Sequence, residues 1–202
     1  MLRFAMVILV ALGGAAMADT PVQKLMDEEK RALSSISQNR LMSYLRRPEV
    51  GLTYSRDWLD AQPVVAGGPQ WECLSEALYF EARGETVKGQ FAVAEVIMNR
   101  VDSAEFPNSI CGVVNQGTGR KYQCQFTYTC DGHKEVIAEP RAYARVGKVA
   151  HMMMRGVTRP LTEGATHYHT RAVSPRWARV FPRTATIGVH HFYKMPTRVS
   201  QN

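Results

Sequence analysis

The amino-acid sequence predicts an α+β domain that is mostly helical and carries a small antiparallel β element. Apolar residues recur at helical spacing through the middle of the chain, whereas the C-terminal part holds short aromatic and β-branched segments. The chain has 202 residues, of which 45% are hydrophobic and 21% charged, a balance typical of a globular domain. This length is enough for one domain with a sizeable core and an appendage.

Residues 1–18 have the pattern of an export signal. Arg3 precedes an apolar run from Phe4 to Ala18, and residues 16–18 form the small-residue A-x-A pattern of a cleavage site. A membrane anchor is the alternative, but this run is 15 residues long and a span needs about 20. We therefore expect a cleaved signal peptide, a mature protein in the periplasm or cell wall, and no stable membrane insertion after cleavage.

The formal net charge is +7, and it would be +6 once residues 1–18, with their one arginine, are removed. A basic exported protein can bind lipid headgroups or an anionic wall polymer, while export disfavours nucleic acid as a partner. Charge also serves solubility, so it does not by itself identify a partner.

Residues 19–70 are predicted to form an N-terminal helix and a linker. A thin apolar stripe in residues 19–46 has helical spacing. Proline and glycine then recur from Pro48 to Pro69, which is typical of a linker or an extended surface segment. The compact domain is expected to span residues 71–197.

Four helices are predicted in the compact domain. The first covers residues 72–83, and the second covers 86–102 with apolar residues around most of its circumference, as in a buried helix. A short third helix follows Pro107, and a fourth begins near Pro140. Further on, the segments "ATHYHT" and "ATIGVHHFYK" can pair as antiparallel strands.

The cysteines of the exported chain indicate two disulfides among Cys73, Cys111, Cys124 and Cys130. Three pairings are possible. The short loop between Cys124 and Cys130 favours joining these two, which leaves Cys73 with Cys111. A zinc site is the alternative, but the sequence has no C-x-x-C pair.

The first predicted helix ends in the segment "CLSEALYFEARGE", which contains Glu81 and Glu85. Glu81 falls in the last turn, where the helix dipole and its apolar neighbours should both raise its pKa. Glu85 precedes the next helix, whose N-terminus favours the ionised form, and Arg83 can pair with it. Two carboxyls in opposing environments are typical of an acid–base site, although most perturbed carboxylates are structural.

The segments "CLSEALYFEARGETVKGQFAVAEVIMNRVDSAEFPNSICGVVNQ", "CQFTYTCDG", "ATHYHT" and "IGVHHFY" resemble the SleB-type cell wall hydrolase family of spore-cortex-lytic and related enzymes. The resemblance covers residues 72–193. It implies a lysozyme-like, lytic-transglycosylase-like core that cleaves peptidoglycan glycan strands between N-acetylmuramic acid and N-acetylglucosamine. The general acid that it implies is the first Glu of the EARGE motif, which is Glu81 here.

A hydrolase usually needs a second carboxylate, whereas a lytic transglycosylase uses the muramic acid 6-hydroxyl as the nucleophile and forms a 1,6-anhydro end. No acid downstream of Glu85 is an obvious partner. Asp131 is the best candidate, and a turn role beside Gly132 explains it equally well. The sequence therefore favours transglycosylation.

Six further side chains are candidates for substrate binding: Glu85, Gln125, Phe126, Tyr168, His190 and Tyr193. The aromatic members have flat faces and polar tips suited to sugar rings, and each could equally be a core residue. Asn99 and Arg100, late in the second helix, could hydrogen-bond near the site or join helices.

Two other functions stay open. His167, His169 and the pair His190–His191 could bind zinc in an amidase or peptidase, but no strong ligand spacing is present, and we expect neither metal nor cofactor. A non-catalytic wall-binding protein is the second alternative, and the intact EARGE motif argues against it. The chain departs from the family pattern at Val189, where asparagine is common.

Overall fold

A computed structural model describes residues 21–35, 51–119 and 123–196. The described chain is mostly helical and has one three-stranded antiparallel sheet, which confirms the predicted fold class. The predicted signal peptide lies outside the described residues. No helix within the described ranges has the length and apolar character needed to cross a membrane.

The chain divides into two units, residues 1–48 and 49–202. The described part of the first unit is helix α1 (Pro21–Ser35), in the region where the sequence predicts a helix. Its apolar side chains Val22 and Leu25 are exposed.

The second unit contains the helices α2 (Arg56–Ala61), α3 (Pro69–Ala82), α4 (Val87–Val101), α5 (Ile110–Val114) and α6 (Pro140–Met154). Side-chain hydroxyls define three of their starts, because Ser55, Thr86 and Ser109 each accept a backbone N–H of the first turn. Proline occupies the first turn of α3 and of α6. The four helices predicted for the compact domain are therefore present.

Helix α2 lies in the segment that the sequence assigns to a linker. Its Leu59 is fully buried, and Trp58 packs against Phe91 of α4 with ring centroids 6.4 Å apart. Lys148 Nζ of α6 donates to the carbonyls of Leu59 and Asp60 at 3.1 and 2.8 Å. A helix of six residues is too short to show a periodic pattern between prolines and glycines, which is why the sequence does not indicate it.

Helix α4 is buried around most of its circumference, as its pattern predicts, and packs against α3, α5 and α6. Helices α3 and α6 approach closely where Trp71 Nε1 donates to the carbonyl of Gly147 at 2.9 Å. A Cβ at position 147 would lie 2.7 Å from the Trp71 ring, so only glycine permits this packing.

Two disulfides join the favoured pairs, Cys73–Cys111 and Cys124–Cys130. The first links α3 to α5. The second closes the loop that contains a 3-10 helix over Thr127–Cys130.

The sheet is formed by β1 (His167–Thr170), β2 (Arg183–Ile187) and β3 (His190–Tyr193), with β3 in the centre. Strand β1 pairs with β3 so that Tyr168 lies opposite Phe192. Three polar side chains of α4 hold the chain that leads into β1. Glu95 accepts the N–H groups of residues 161 and 162, Asn99 donates to the carbonyl of residue 165, and Arg100 donates to that of residue 166.

Strands β2 and β3 are joined by the two residues Gly188 and Val189. Gly188 has a φ of +58°, a backbone conformation that residues other than glycine rarely adopt. The Glu85 carboxylate packs directly on this turn and accepts the Val189 N–H at 3.4 Å. A Cβ at position 188 would collide with Glu85 Oε2.

We expect Gly188→Ala to destabilise the domain by about 3 kcal/mol, because it combines left-handed backbone strain with the collision against Glu85. Gly132→Ala is the matched control, since Gly132 also has a positive φ of +85° but no atom lies within 4 Å of the point that a Cβ would occupy. This control should lose only about 1 kcal/mol. Urea unfolding followed by circular dichroism measures both, and equal losses would contradict a packing role for Glu85.

Candidate active site

Glu81 lies in the last turn of α3 and faces a surface cleft of about 530 Å³. The cleft is lined by Arg56, Phe80, Glu81, Arg83, Gly84, Glu139, Ala142 and Arg145. One wall comes from the end of α3, and the others come from α2 and the start of α6. The carboxyl is therefore half-buried but reachable from solvent.

Tyr168 of β1 donates its hydroxyl to Glu81 Oε2 at 3.1 Å. Burial raises the pKa of the Glu81 carboxyl, and the Tyr168 hydrogen bond and the Arg100 charge oppose this rise only in part. Burial and the nearby Glu81 also raise the pKa of Tyr168 well above its usual value, so the phenol keeps its proton. Since Tyr168 donates to Oε2, Oε1 is the oxygen that carries the proton when Glu81 is neutral.

Arg100 is a buried cation behind Glu81, with 2% of its surface exposed. Its Nε donates to the carbonyl of Thr166 at 2.6 Å, and its guanidinium lies over the Phe126 ring. Burial lowers the pKa of Arg100 to about 10, so it remains charged at neutral pH. Arg100 thus joins α4 to the chain that leads into β1 and acts electrostatically on Glu81, whereas the sequence suggested a hydrogen bond near the site or a contact between helices.

Gln125 and Phe126 lie beside Arg100. With its amide oxygen facing the guanidinium, Gln125 accepts from both Arg100 Nη atoms at 3.1 and 3.2 Å. The Phe126 ring is almost fully buried. Both residues predicted as substrate contacts are thus next to the Arg100 guanidinium.

Glu85 and His190 contact each other, and Tyr193 lies on the same strand as His190. Glu85 Oε1 lies 3.2 Å from His190 Nδ1, and the His190 ring meets the Tyr168 ring edge to face at 5.2 Å. Burial lowers the pKa of His190, and the Glu85 charge opposes this. Tyr193 is also buried, and its hydroxyl lies 3.0 Å from His169 Nε2. None of the three is among the residues that line the cleft described above.

The charged groups near the EARGE motif have partners other than those that sequence proximity suggests. Arg83 pairs with Glu139 at 2.8 Å, not with Glu85. Asp131 Oδ1 accepts the N–H of His133 at 2.8 Å in a turn where Gly132 has a positive φ. Asp131 therefore has the turn role that its sequence context allowed.

The histidines of the sheet do not converge on a common point. His167 packs among Phe106, Trp177 and Phe181, and burial lowers its pKa to about 4. His190 instead contacts Glu85. Across the described ranges, no group of three His, Cys, Asp or Glu side chains is placed to hold a metal ion, so the zinc alternative gains no support.

Tyr128 is a site residue that sequence reasoning did not identify. Its ring stacks on Phe80 with centroids 4.5 Å apart, and Phe80 lines the cleft. Burial, with the charges of Glu76, Glu81 and Glu135, raises the pKa of its hydroxyl well above the usual value. The only signal in the sequence was its position in the aromatic loop between Cys124 and Cys130.

The sequence pattern of the cell wall hydrolase family matches residues 84–193. Among characterised proteins, the chain is 33% identical over 119 residues to the spore cortex-lytic enzyme of Bacillus subtilis and 32% identical over 123 residues to that of Bacillus cereus. These matches cover 59% and 61% of this chain but only 35% and 43% of the relatives. The chain thus spans less than half the length of either.

Two solved structures have a similar fold. The catalytic domain of the germination-specific lytic transglycosylase SleB from Bacillus anthracis superposes with a TM-score of 0.51 at 32% identity, over 66% of this chain and 100% of that domain. The SleB catalytic domain of Bacillus cereus gives 0.50 at the same identity, over 66% and 98%. The expected lytic-transglycosylase-like fold is therefore confirmed, and the chain belongs to the cell wall hydrolase family.

Proposed function

We propose that this protein cleaves the glycan strands of peptidoglycan between N-acetylmuramic acid and N-acetylglucosamine, with Glu81 as the general acid. The observation that carries the proposal is the environment of Glu81. Its carboxyl is half-buried in an open cleft, its pKa is raised by burial, and Tyr168 orients it through Oε2. A carboxyl that keeps its proton can deliver it to the oxygen of a glycosidic bond.

In this proposal, Glu81 Oε1 protonates the bridging oxygen as the bond to C1 of the muramic acid residue breaks. The resulting positive charge at C1 is attacked by the 6-hydroxyl of the same residue, and the hydroxyl proton passes to the Glu81 carboxylate. This sequence regenerates the acid and leaves a 1,6-anhydro end. Arg100 and Tyr168 stabilise the carboxylate during the interval in which it is ionised.

Transglycosylation is favoured over hydrolysis by the state of the other carboxylate that lines the cleft. Glu139 is bound to Arg83 at 2.8 Å, so a role as the base that activates water would require this ion pair to open. Asp131 is occupied in its turn. A single carboxyl that acts as both acid and base suits this arrangement.

The remaining predictions are proposals of the same kind. Residues 1–18 serve as a signal peptide and residues 71–197 as the catalytic domain, and the mature protein works on the wall in the periplasm or at the cell surface. Glu85, Gln125, Phe126, His190 and Tyr193 act by positioning Glu81, Tyr168 and Arg100. Phe126, His190 and Tyr193 are buried, Glu85 contacts His190 and Gln125 contacts Arg100, which supports this role.

Digestion of purified sacculi tests the function directly. We expect soluble muropeptides with 1,6-anhydromuramic ends, detected by mass spectrometry as a mass about 18 Da, one water, below that of the reducing form, because no water enters the reaction. Reducing ends would instead indicate hydrolysis. Binding to sacculi without release of soluble glycan would support a non-catalytic protein.

Glu81→Gln should lower the rate of glycan release by at least about 10³-fold, because an amide cannot donate the proton. The variant should fold with a melting temperature equal to or above that of the wild type at pH 8. A carboxyl whose pKa is raised on folding loses stability as pH rises through that pKa, and glutamine avoids this loss. Glu72→Gln is the matched control, since it removes an exposed carboxylate from the same helix and should keep full activity.

The pH dependence of kcat/KM should report the proton on Glu81. Activity should fall on the alkaline side with an apparent pKa above the ordinary 4.5, because the ionised acid is inactive. Tyr168→Phe removes a hydrogen bond that favours the ionised form, so its alkaline limb should move to higher pH while kcat falls. A limb that stays in place, or moves to lower pH, would contradict the contact between Tyr168 and Glu81.

A further inference from the structure

The cleft beside Glu81 carries an excess of positive charge. Three arginines line it, Arg56, Arg83 and Arg145, and the carboxyls in its lining are Glu81 and Glu139. Glu139 compensates Arg83, to which it is bound at 2.8 Å. When Glu81 holds its proton, no negative charge in the lining remains for the other two arginines.

Arg145 has an ion-pair partner outside the cleft lining, whereas Arg56 forms no ion pair with the residues that the structure describes. Arg145 Nε donates to Asp60 Oδ1 at 2.8 Å. Arg56 is exposed, and it acts on the Asp60 carboxylate only through its charge, without a direct contact. Its guanidinium is thus available to a ligand that enters the cleft.

The position of Arg56 is fixed although its side chain is exposed. It begins α2, and this helix is anchored by buried Leu59 and by the Lys148 ammonium at its C-terminal carbonyls. The ion pair between Arg145 and Asp60 ties the same helix to α6. Arg56 therefore belongs to an anchored helix that lines the same cleft as Glu81.

The proposed substrate offers a matching group. The two sugars of the glycan strand alternate, and only muramic acid carries a lactyl arm, which ends in a carboxylate or continues into a peptide with carboxylates of its own. A guanidinium binds a carboxylate through charge and paired hydrogen bonds, whereas an N-acetylglucosamine residue offers no charge.

We propose that Arg56 forms an anion subsite that binds a carboxylate of the muramic acid residue next to the cleaved bond, so that the protein selects carboxylate-bearing strands. This inference rests on the proposed function and adds a specificity determinant to it. Arg56 lies before residues 84–193, which match the family pattern, so the subsite is contributed by helix α2 from outside that match.

Binding and cleavage of three forms of one glycan preparation test the subsite. The first form is the soluble strand with its peptides, the second is the strand freed of peptides by an amidase, and the third has its carboxylates converted to methylamides. Binding is measured at low salt by fluorescence anisotropy of labelled strands, using full-length Glu81→Gln so that no turnover occurs. Wild-type kcat/KM is measured on the same forms.

In the Glu81→Gln background, Arg56→Gln should weaken binding of carboxylate-bearing strands about fivefold and leave the neutral strands unaffected. Arg56→Lys should lose less, since it keeps the charge. Arg179→Gln is the matched control, because Arg179 is an exposed arginine of the 3-10 helix Arg176–Arg179 and should change nothing. The effect should shrink at high salt.

The strand forms distinguish the two sources of the carboxylate. A dependence on Arg56 that is present with the peptides and disappears when they are removed assigns the subsite to the peptide. One that appears only after the peptides are removed and disappears on methylamidation assigns it to the lactyl group, and one found in both charged forms shows that either carboxylate binds. An equal loss on neutral strands, or no loss on any form, overturns the subsite.

The same measurements separate this inference from the proposed function. If the wild type cleaves the strands and Arg56→Gln changes nothing, the proposed function is supported and the subsite is overturned. Binding that depends on Arg56 without release of glycan by the wild type would leave the subsite standing without the function. The absence of both binding and cleavage would overturn both.

Discussion

The candidate active site depends on hydrogen bonds between one buried helix and the chain that enters the sheet. Glu95 lies one turn before Asn99 and Arg100 on α4, and all three bind backbone groups between residues 161 and 166. Strand β1 begins directly after this segment, and its second residue is Tyr168. A shift of the segment relative to α4 would therefore move the phenol away from Glu81, although α4 contains neither residue.

The same helix also sets the electrostatic balance at the acid. Burial favours the neutral form of the Glu81 carboxyl. The Arg100 charge and the Tyr168 hydrogen bond favour its ionised form. Burial is the larger effect, so the resting state is biased toward the proton. A general acid that gives up a proton and then takes one back needs both effects. Burial alone would keep the proton on the acid and slow its release.

Local patterns were sufficient to predict the parts of the structure that neighbouring residues determine. The helices of the core, the position of Glu81 at the end of α3 and both disulfides follow from periodicity, capping and loop length. The contact between Tyr168 and Glu81 joins residues 87 positions apart, so no local pattern encodes it. Glu85 shows the same limit. Its proximity to Arg83 in the sequence suggested an ion pair between them, but in the fold Glu85 contacts the turn at Gly188 and Arg83 pairs elsewhere.

The close approach of α3 and α6 at Gly147 has a consequence for the width of the cleft. Helix α3 supplies Glu81, and α6 supplies Ala142 and Arg145 on the opposite side. Because a single hydrogen atom of Gly147 faces the Trp71 indole at the crossing, the spacing between the α3 and α6 sides of the cleft depends on the absence of a side chain at position 147. A larger residue at position 147 would push α3 and α6 apart, so the packing inside the domain controls the width of the cleft.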